Sequence, residues 1–238
     1  MTTKEFSELF DTTVDSYRRF KDFDKRELLD SIEFSEFEKS QYLTMAQDEI
    51  VTALYNGRNV YGLAFETVEE ARRYLDPLVK TNIPSRTGIG RTGVSPTSVF
   101  YQLPDDIAFI VYEQARLVDS ALGCYDGSIT NVYPVTHDEY NRIRKNPFRG
   151  ATKYKVLRLD AGGNVVELVS KYNVAGYTIR YVAQPEPIIL EDLNDEGLTI
   201  KGESEITECQ LSPVLHDTIL KRAVQLALSA KGIQANSQ

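Results

Sequence analysis

The sequence predicts an α+β fold: N-terminal helices, a central antiparallel β region with one short inserted helix, and a packed C-terminal helix. Three observations carry this expectation. Apolar residues in the first third recur at helical spacing, most clearly over residues 34–55. From Val99 onward the chain becomes rich in Val, Ile, Phe and Tyr, in short runs broken by turn signals. After Ser212 a helical stripe returns.

Taken in order, residues 6–20 read as a first helix. In 34–55, Leu43, Ala46, Ile50, Ala53 and Leu54 form a stripe, and Asn56-Gly57 supplies the stop, since glycine tolerates the left-handed backbone that closes a helix. Thr67-Val68-Glu69-Glu70 has capping-box spacing with Thr67 as cap, and Pro77 should end the helix that follows. Residues 81–97 (TNIPSRTGIGRTGVSPT) have no apolar period, and such a stretch is expected to be structureless, mobile in the free protein and ordered against a partner. Strands follow at 99–103, 107–118 and 129–135. Thr136-His137-Asp138-Glu139 opens a short helix that Asn146-Pro147 ends. A three-strand meander (KYKVLRLD, VVELVS, YTIRYVAQ) comes next. The last helix begins with Ser212 as N-cap and Pro213 at its first position, and carries the stripe Leu215, Ile219, Ala223, Leu226, Ala230. The domain expectation is a helical region at 1–97, including the Gly/Arg loop 81–97, and a β region plus C-terminal helix at 98–238, which could together make one compact domain.

Composition narrows the function. The chain has 238 residues, 42% hydrophobic and 26% charged, with a net charge of -8, as a soluble globular protein has. Two cysteines make no disulfide framework, which points to a reducing compartment. No apolar run approaches the roughly 20 residues of a membrane span, and the first ten residues lack the pattern of a secretory signal. With two histidines and two cysteines scattered singly, neither a zinc set nor a nucleophile pair is indicated, and the expectation is a protein without catalysis, cofactor or metal.

Two motifs look chemical at first sight. Residues 88–93 spell GxGxxG, but the dinucleotide fingerprint needs a strand before it and a helix opening on it, and the flanks read as neither. Asp192, Asn194, Gly197 and Glu203 fall at calcium-loop positions, with Glu196 departing from the pattern. No helices are expected on either side, so an acidic hairpin loop accounts for the same letters.

Charge is segregated. Residues 142–158 hold seven cations and no acid, 78–104 hold Lys80, Arg86 and Arg91 and no acid, and 191–208 hold seven acids and one lysine. Such patches suit nucleic acid, complementary surfaces between subunits, or a solvated face. Arg86, Arg91, Arg142, Arg144, Lys145 and Arg149 are the residues expected to touch a neighbouring subunit or partner.

Four stretches carry a resemblance: Thr136-His137-Asp138-Glu139-Tyr140, Asn146-Pro147-Phe148-Arg149, RYVAQPEPIIL (180–190) and ECQLSPVLHDTILKRAVQLA (208–227). The sequence resembles a family of virion structural proteins of crAss-like tailed phages of gut bacteria, the neck or head–tail connector ring components. It covers about residues 98–230, and 208–227 is its most specific part. One departure is GATKYK at 150–155, where the resemblance leads one to expect a denser arginine cluster. The resemblance implies a homomeric ring, twelve-fold, located in the virion and assembled in the host cytoplasm. Its partners would be the portal protein, other neck and tail proteins, and DNA passing through the channel without sequence-specific binding; no membrane is implied. The alternative from the residues alone is a nucleic-acid-binding module built on 142–158.

Overall fold

The computed structural model describes residues 1–19, 33–58, 64–88, 91–146, 148–194 and 197–232. Phe20, Ile89, Gly90, Pro147 and Glu196 lie outside the described residues. The chain divides into two compact units, one made of residues 1–78 and 184–238, the other of residues 79–183.

The first unit is helical. α1 (Thr3–Arg19), α2 (Glu36–Asn56) and α3 (Glu69–Leu75) come from the N-terminal part and α5 (His216–Ala230) from the C-terminus, with α5 packed on α2 and α1. α2 starts with a complete capping box, Ser35 and Glu38 exchanging side-chain and backbone hydrogen bonds, and stops at Gly57 with φ +69. α3 departs from the expected cap. Its N-cap is Val68, with no side-chain bond, because the Thr67 hydroxyl donates to the Ala64 carbonyl behind it. Pro77 sits in the 3-10 turn Asp76–Leu78 that ends the helix.

α2 is less apolar on its buried side than its stripe suggests. Ser40, Thr44 and Gln47 are buried with Leu43, Ala46, Val51 and Leu54. These three polar side chains meet the extended segment that returns from the second unit. Leu190 N donates to Ser40 Oγ at 3.0 Å, Ile188 N to Thr44 Oγ1 at 3.0 Å, and Gln47 Nε2 to Glu186 O at 2.7 Å. Ile189 between them pairs with Thr207, but the N–H groups of Ile188 and Leu190 point the other way, and buried there they need such bonds, which the helix supplies.

The buried face of α5 is His216, Ile219, Leu220, Ala223, Val224, Ala227 and Leu228. The expected stripe is therefore rotated: Leu226 is only half-buried and Ala230 is exposed. Leu215, Ile219 and Ala223 are buried as expected, and the stripe then continues at four-residue spacing through Ala227 rather than at three-residue spacing through Leu226.

The second unit is an eight-stranded sheet: β1 (Val79–Asn82), β2 (Ser85–Thr87), β3 (Val99–Gln102), β4 (Ile107–Leu117), β5 (Ile129–Pro134), β6 (Lys155–Asp160), β7 (Val165–Val169) and β8 (Val174–Ala183). Their spatial order is β1-β8-β4-β5-β6-β7-β3-β2. The α+β class stands. β5 and β6 pair in parallel, so the sheet is mixed: the intervening helix α4 (His137–Ile143) returns the chain in the same direction. The expected meander also divides. β6 and β7 form a hairpin, but β8 crosses to pair with β4 and β1.

The sheet curls. Tyr101 on β3 and Tyr177 on β8 stand far apart in strand order, yet their rings are 5.2 Å apart. The enclosed core contains Tyr101, Leu117, Val132, Val156, Leu168 and Ile179. On the outside, α4 sets Tyr140 and Ile143 on Leu157, Leu159 and Val169. β7 is buried throughout, between that core and its outer cover.

Residues 81–97 are not structureless. Thr81 and Asn82 lie in β1, and Ser85–Thr87 pair with β3. Further on, Val94 N donates to the buried Glu167 carboxylate at 2.6 Å, and Thr97 Oγ1 donates to Ser170 O at 2.5 Å. Backbone pairing along an existing sheet requires no apolar side chains from the segment itself, which is why the missing period misleads.

Candidate interaction surface

The sites that the motifs suggested are structural. A strand, β2, does precede Gly88, contrary to expectation, but among the described residues no helix opens on the motif, and the dinucleotide fingerprint needs one. Gly93 is required for packing: a Cβ there would lie 2.4 Å from Ser98 Cβ and 2.7 Å from Glu167 Oε1. In the 191–208 segment, Asp192 Oδ1 accepts from Asn194 N and Nδ2, and Lys201 Nζ reaches Asp48 at 2.7 Å. The segment is a hairpin, as expected. Ile189 and Thr207 exchange backbone bonds, and Ile189, Leu193 and Ile200 pack with Phe37. Among the described residues, no group of three or more His, Cys, Asp or Glu side chains could hold a metal ion, and no helix is long and apolar enough to cross a membrane.

The histidines and cysteines are not gathered. His216 is buried beside Phe6. Its Nδ1 lies 2.7 Å from the Met1 ammonium and its Nε2 3.1 Å from Leu211 O, an arrangement that fits a neutral ring with the proton on Nε2. Burial lowers its pKa. Cys209 Sγ donates to Gln47 Oε1 at 3.2 Å, and burial pushes the thiol up. His137 Nε2 lies against Asp160 O, and Cys124 is exposed.

The expected contact residues are all exposed, in two groups. Arg86 projects from the edge strand β2 and shares with Arg91 a cleft of about 920 Å³ lined also by Gly88, Thr92, Ser95 and Phe100. Arg142, Arg144, Lys145 and Arg149 lie on α4 and the turn after it, turned outward because Tyr140 and Ile143 face the sheet. Among the described residues, no carboxylate comes within 4 Å of any of the six.

The basic run of seven is split by the strand it enters. Arg158 points into the curled sheet, its Nε 3.3 Å from Glu113 Oε1 and its Nη1 3.3 Å from Asp160 Oδ1. The Nε contact has ion-pair distance without hydrogen-bond geometry. Tyr177 donates to Glu113 Oε2 at 2.9 Å. Burial raises the Glu113 pKa, against the opposing pull of Arg158 and the Tyr177 hydroxyl.

A second surface was not visible in the charge pattern. On β4, Glu113, Ala115 and Leu117 face inward, so Tyr112, Gln114 and Arg116 face out. On β5 the outward set is Ile129, Asn131 and Tyr133. Register places Ile129 beside Arg116, and Asn131 between Gln114 and Lys155. Lys155 Nζ stands 5.1 Å from the Tyr133 ring, and Lys153 Nζ 3.7 Å from that of Tyr125, which meets Tyr154 edge-on. Ile129 is 65% exposed and Phe148, beyond Lys155, 93%. The one available signal was the Tyr-Glu-Gln-Ala-Arg-Leu alternation at 112–117, which sets a carboxylate on the face of Ala and Leu.

The phage tail ring protein 3/4 family matches residues 1–238. Ring protein 3 of Bacteroides phage crAss001 is 48% identical over 232 residues, covering 97% of this chain and 96% of that protein. Ring protein 4/5 of the same phage is 33% identical over 210 residues, 82% and 83% of the two chains. The family match over the whole chain takes in both compact units, including the N-terminal helices, which the sequence resemblance covers only in general style. The chain belongs to the phage tail ring protein 3/4 family, structural components of the virion.

Proposed function

We propose that the chain is a non-catalytic subunit of a homomeric ring in the phage neck, joining portal to tail around the channel through which DNA passes. Family membership over the whole chain carries this reading. A ring needs two different patches on each subunit, since head-to-tail contacts close into rings where self-complementary ones give pairs. Segregated charge provides such unlike patches. Arg86, Arg91, Arg142, Arg144, Lys145 and Arg149 are assigned to subunit and partner contacts, because they are exposed cations with no carboxylate within 4 Å among the described residues. DNA is a passing contact rather than a ligand: with Arg158 turned inward, the basic run 142–158 offers a smaller outward patch than its letters suggest.

Native mass and electron microscopy of the full chain, alone and with the portal protein, test this. A closed ring is expected, with twelve copies as the family resemblance implies. A strictly monomeric protein under both conditions overturns the reading.

A further inference from the structure

We propose that the outward face of β4 and β5, with Lys155 at the start of β6, is the seat for the 197–208 arm of the acidic hairpin of a second copy of this chain. The inference rests on the ring reading above and names the two surfaces that would meet. The face joins exposed apolar groups (Ile129, Tyr133, Tyr112) to cations (Arg116, Lys155), and its outward strand positions hold no carboxylate. Apolar groups left in water beside cations favour a partner that is both apolar and acidic.

The hairpin has that chemistry. Glu203, Glu205 and Glu208 are exposed and, among the described residues, have no cation within 4 Å. Ile206, between them, is 56% exposed. The hairpin's one lysine, Lys201, is already held by Asp48, so the strip facing outward is acidic. Its backbone is fixed by the Ile189–Thr207 bonds and by the core of Leu193 and Ile200, so it is presented as a formed shape at little ordering cost. Ile206 meets Ile129 and Tyr133, and the glutamates meet Arg116 and Lys155. The two surfaces differ, so the contact is head-to-tail and propagates as a ring requires. Nucleic acid is the poorer occupant, because phosphates gain nothing from an exposed isoleucine and leave the hairpin unmatched.

Two charge-reversed proteins test the pairing: Arg116→Glu with Lys155→Glu on the face, and Glu203→Lys with Glu205→Lys on the hairpin. Circular dichroism checks that each remains folded. Each alone opposes like charges at every contact and should need at least tenfold more protein to assemble than wild type. Mixed one to one, the copies can alternate with opposite charges at every contact of an even-numbered ring, and rings should return. Wild-type rings with both variants assembling normally would overturn this pairing and leave the ring reading intact. Failure of the mixture to restore rings would also overturn the pairing. A wild-type protein that never self-associates, even with portal, would remove both readings. Normal assembly of the face variant with loss of salt-dependent binding to a single-stranded oligonucleotide would give the face to nucleic acid instead and overturn the proposal.

Discussion

Thr44 and Ile188, 144 residues apart in sequence, are joined through one hydroxyl: Ile188 N donates to Thr44 Oγ1 at 3.0 Å, and Thr44 Oγ1 lies 3.4 Å from Ile188 O. With Ser40 and Gln47 on the same side of α2, the pair ties an extended strand-like segment to a helix with no sheet involved. Thr44→Val keeps the shape and strands a buried N–H, a loss of about 1–3 kcal/mol. Chemical denaturation should register it, and Thr44→Ser should recover most of it.

The rotated face of α5 makes a paired prediction. Leu228 has no exposed surface, so Leu228→Ala should cost roughly 2–5 kcal/mol. Leu226 keeps part of its surface in water, and Leu226→Ala should cost less than Leu228→Ala, in proportion to the smaller area it hides. Equal losses would contradict the observed phase of the helix.

Inside the curled sheet, Arg158→Met leaves the Glu113 carboxylate buried without its cation. At pH 7 the loss should be about 3–5 kcal/mol, the usual penalty for an uncompensated buried charge. Burial already raises the Glu113 pKa, so the folded state favours the neutral acid. That preference is fully present below the ordinary carboxylate range and is lost as pH rises through the folded value. Removing Arg158 raises the value further. The variant should therefore be hurt more at pH 7 than near pH 4.5, and adding Glu113→Gln should rescue it at pH 7. Denaturation midpoints across that range are the measurement.

Gly93→Ala would press a methyl into Ser98 and Glu167 and loosen the Val94–Glu167 bond, at about 1–3 kcal/mol. Hydrogen exchange at the Val94 amide reads this directly: slow in wild type, faster in the variant.

Helices were the most legible part of the sequence, because a capped stripe is local information. The 34–55 stripe with its Asn56-Gly57 stop announces its helix without reference to the rest of the chain, whereas Ser212 makes no side-chain cap bond and Pro213 opens a 3-10 turn ahead of the helix rather than the helix itself. The strands from Val99 onward were legible for the same reason, but β1 and β2 were not, since they lie at the edge of the sheet in a segment without an apolar period. Strand partnership was not: β8 follows β7 after a short turn, yet pairs with β4 and β1, and no letter in 170–176 records that. The buried polar residues Ser40, Thr44, Gln47 and Glu113 were missed because their partners are remote in sequence. The exposed cations were readable as charge, but the tyrosine face emerged only when register set Ile129 beside Arg116.

The strands at the two ends of the second unit are hydrogen-bonded neighbours, Val79 opposite Val182. During synthesis this sets a timetable. Every strand of the sheet has been synthesised once Ala183 is made, whereas the first unit still lacks α5, the helix that packs on α2 and α1. The β unit can therefore close while the earlier helices wait with their apolar sides uncovered for the last fifty or so residues. A chain truncated before His216 would hold every strand of the sheet and a helical unit without α5.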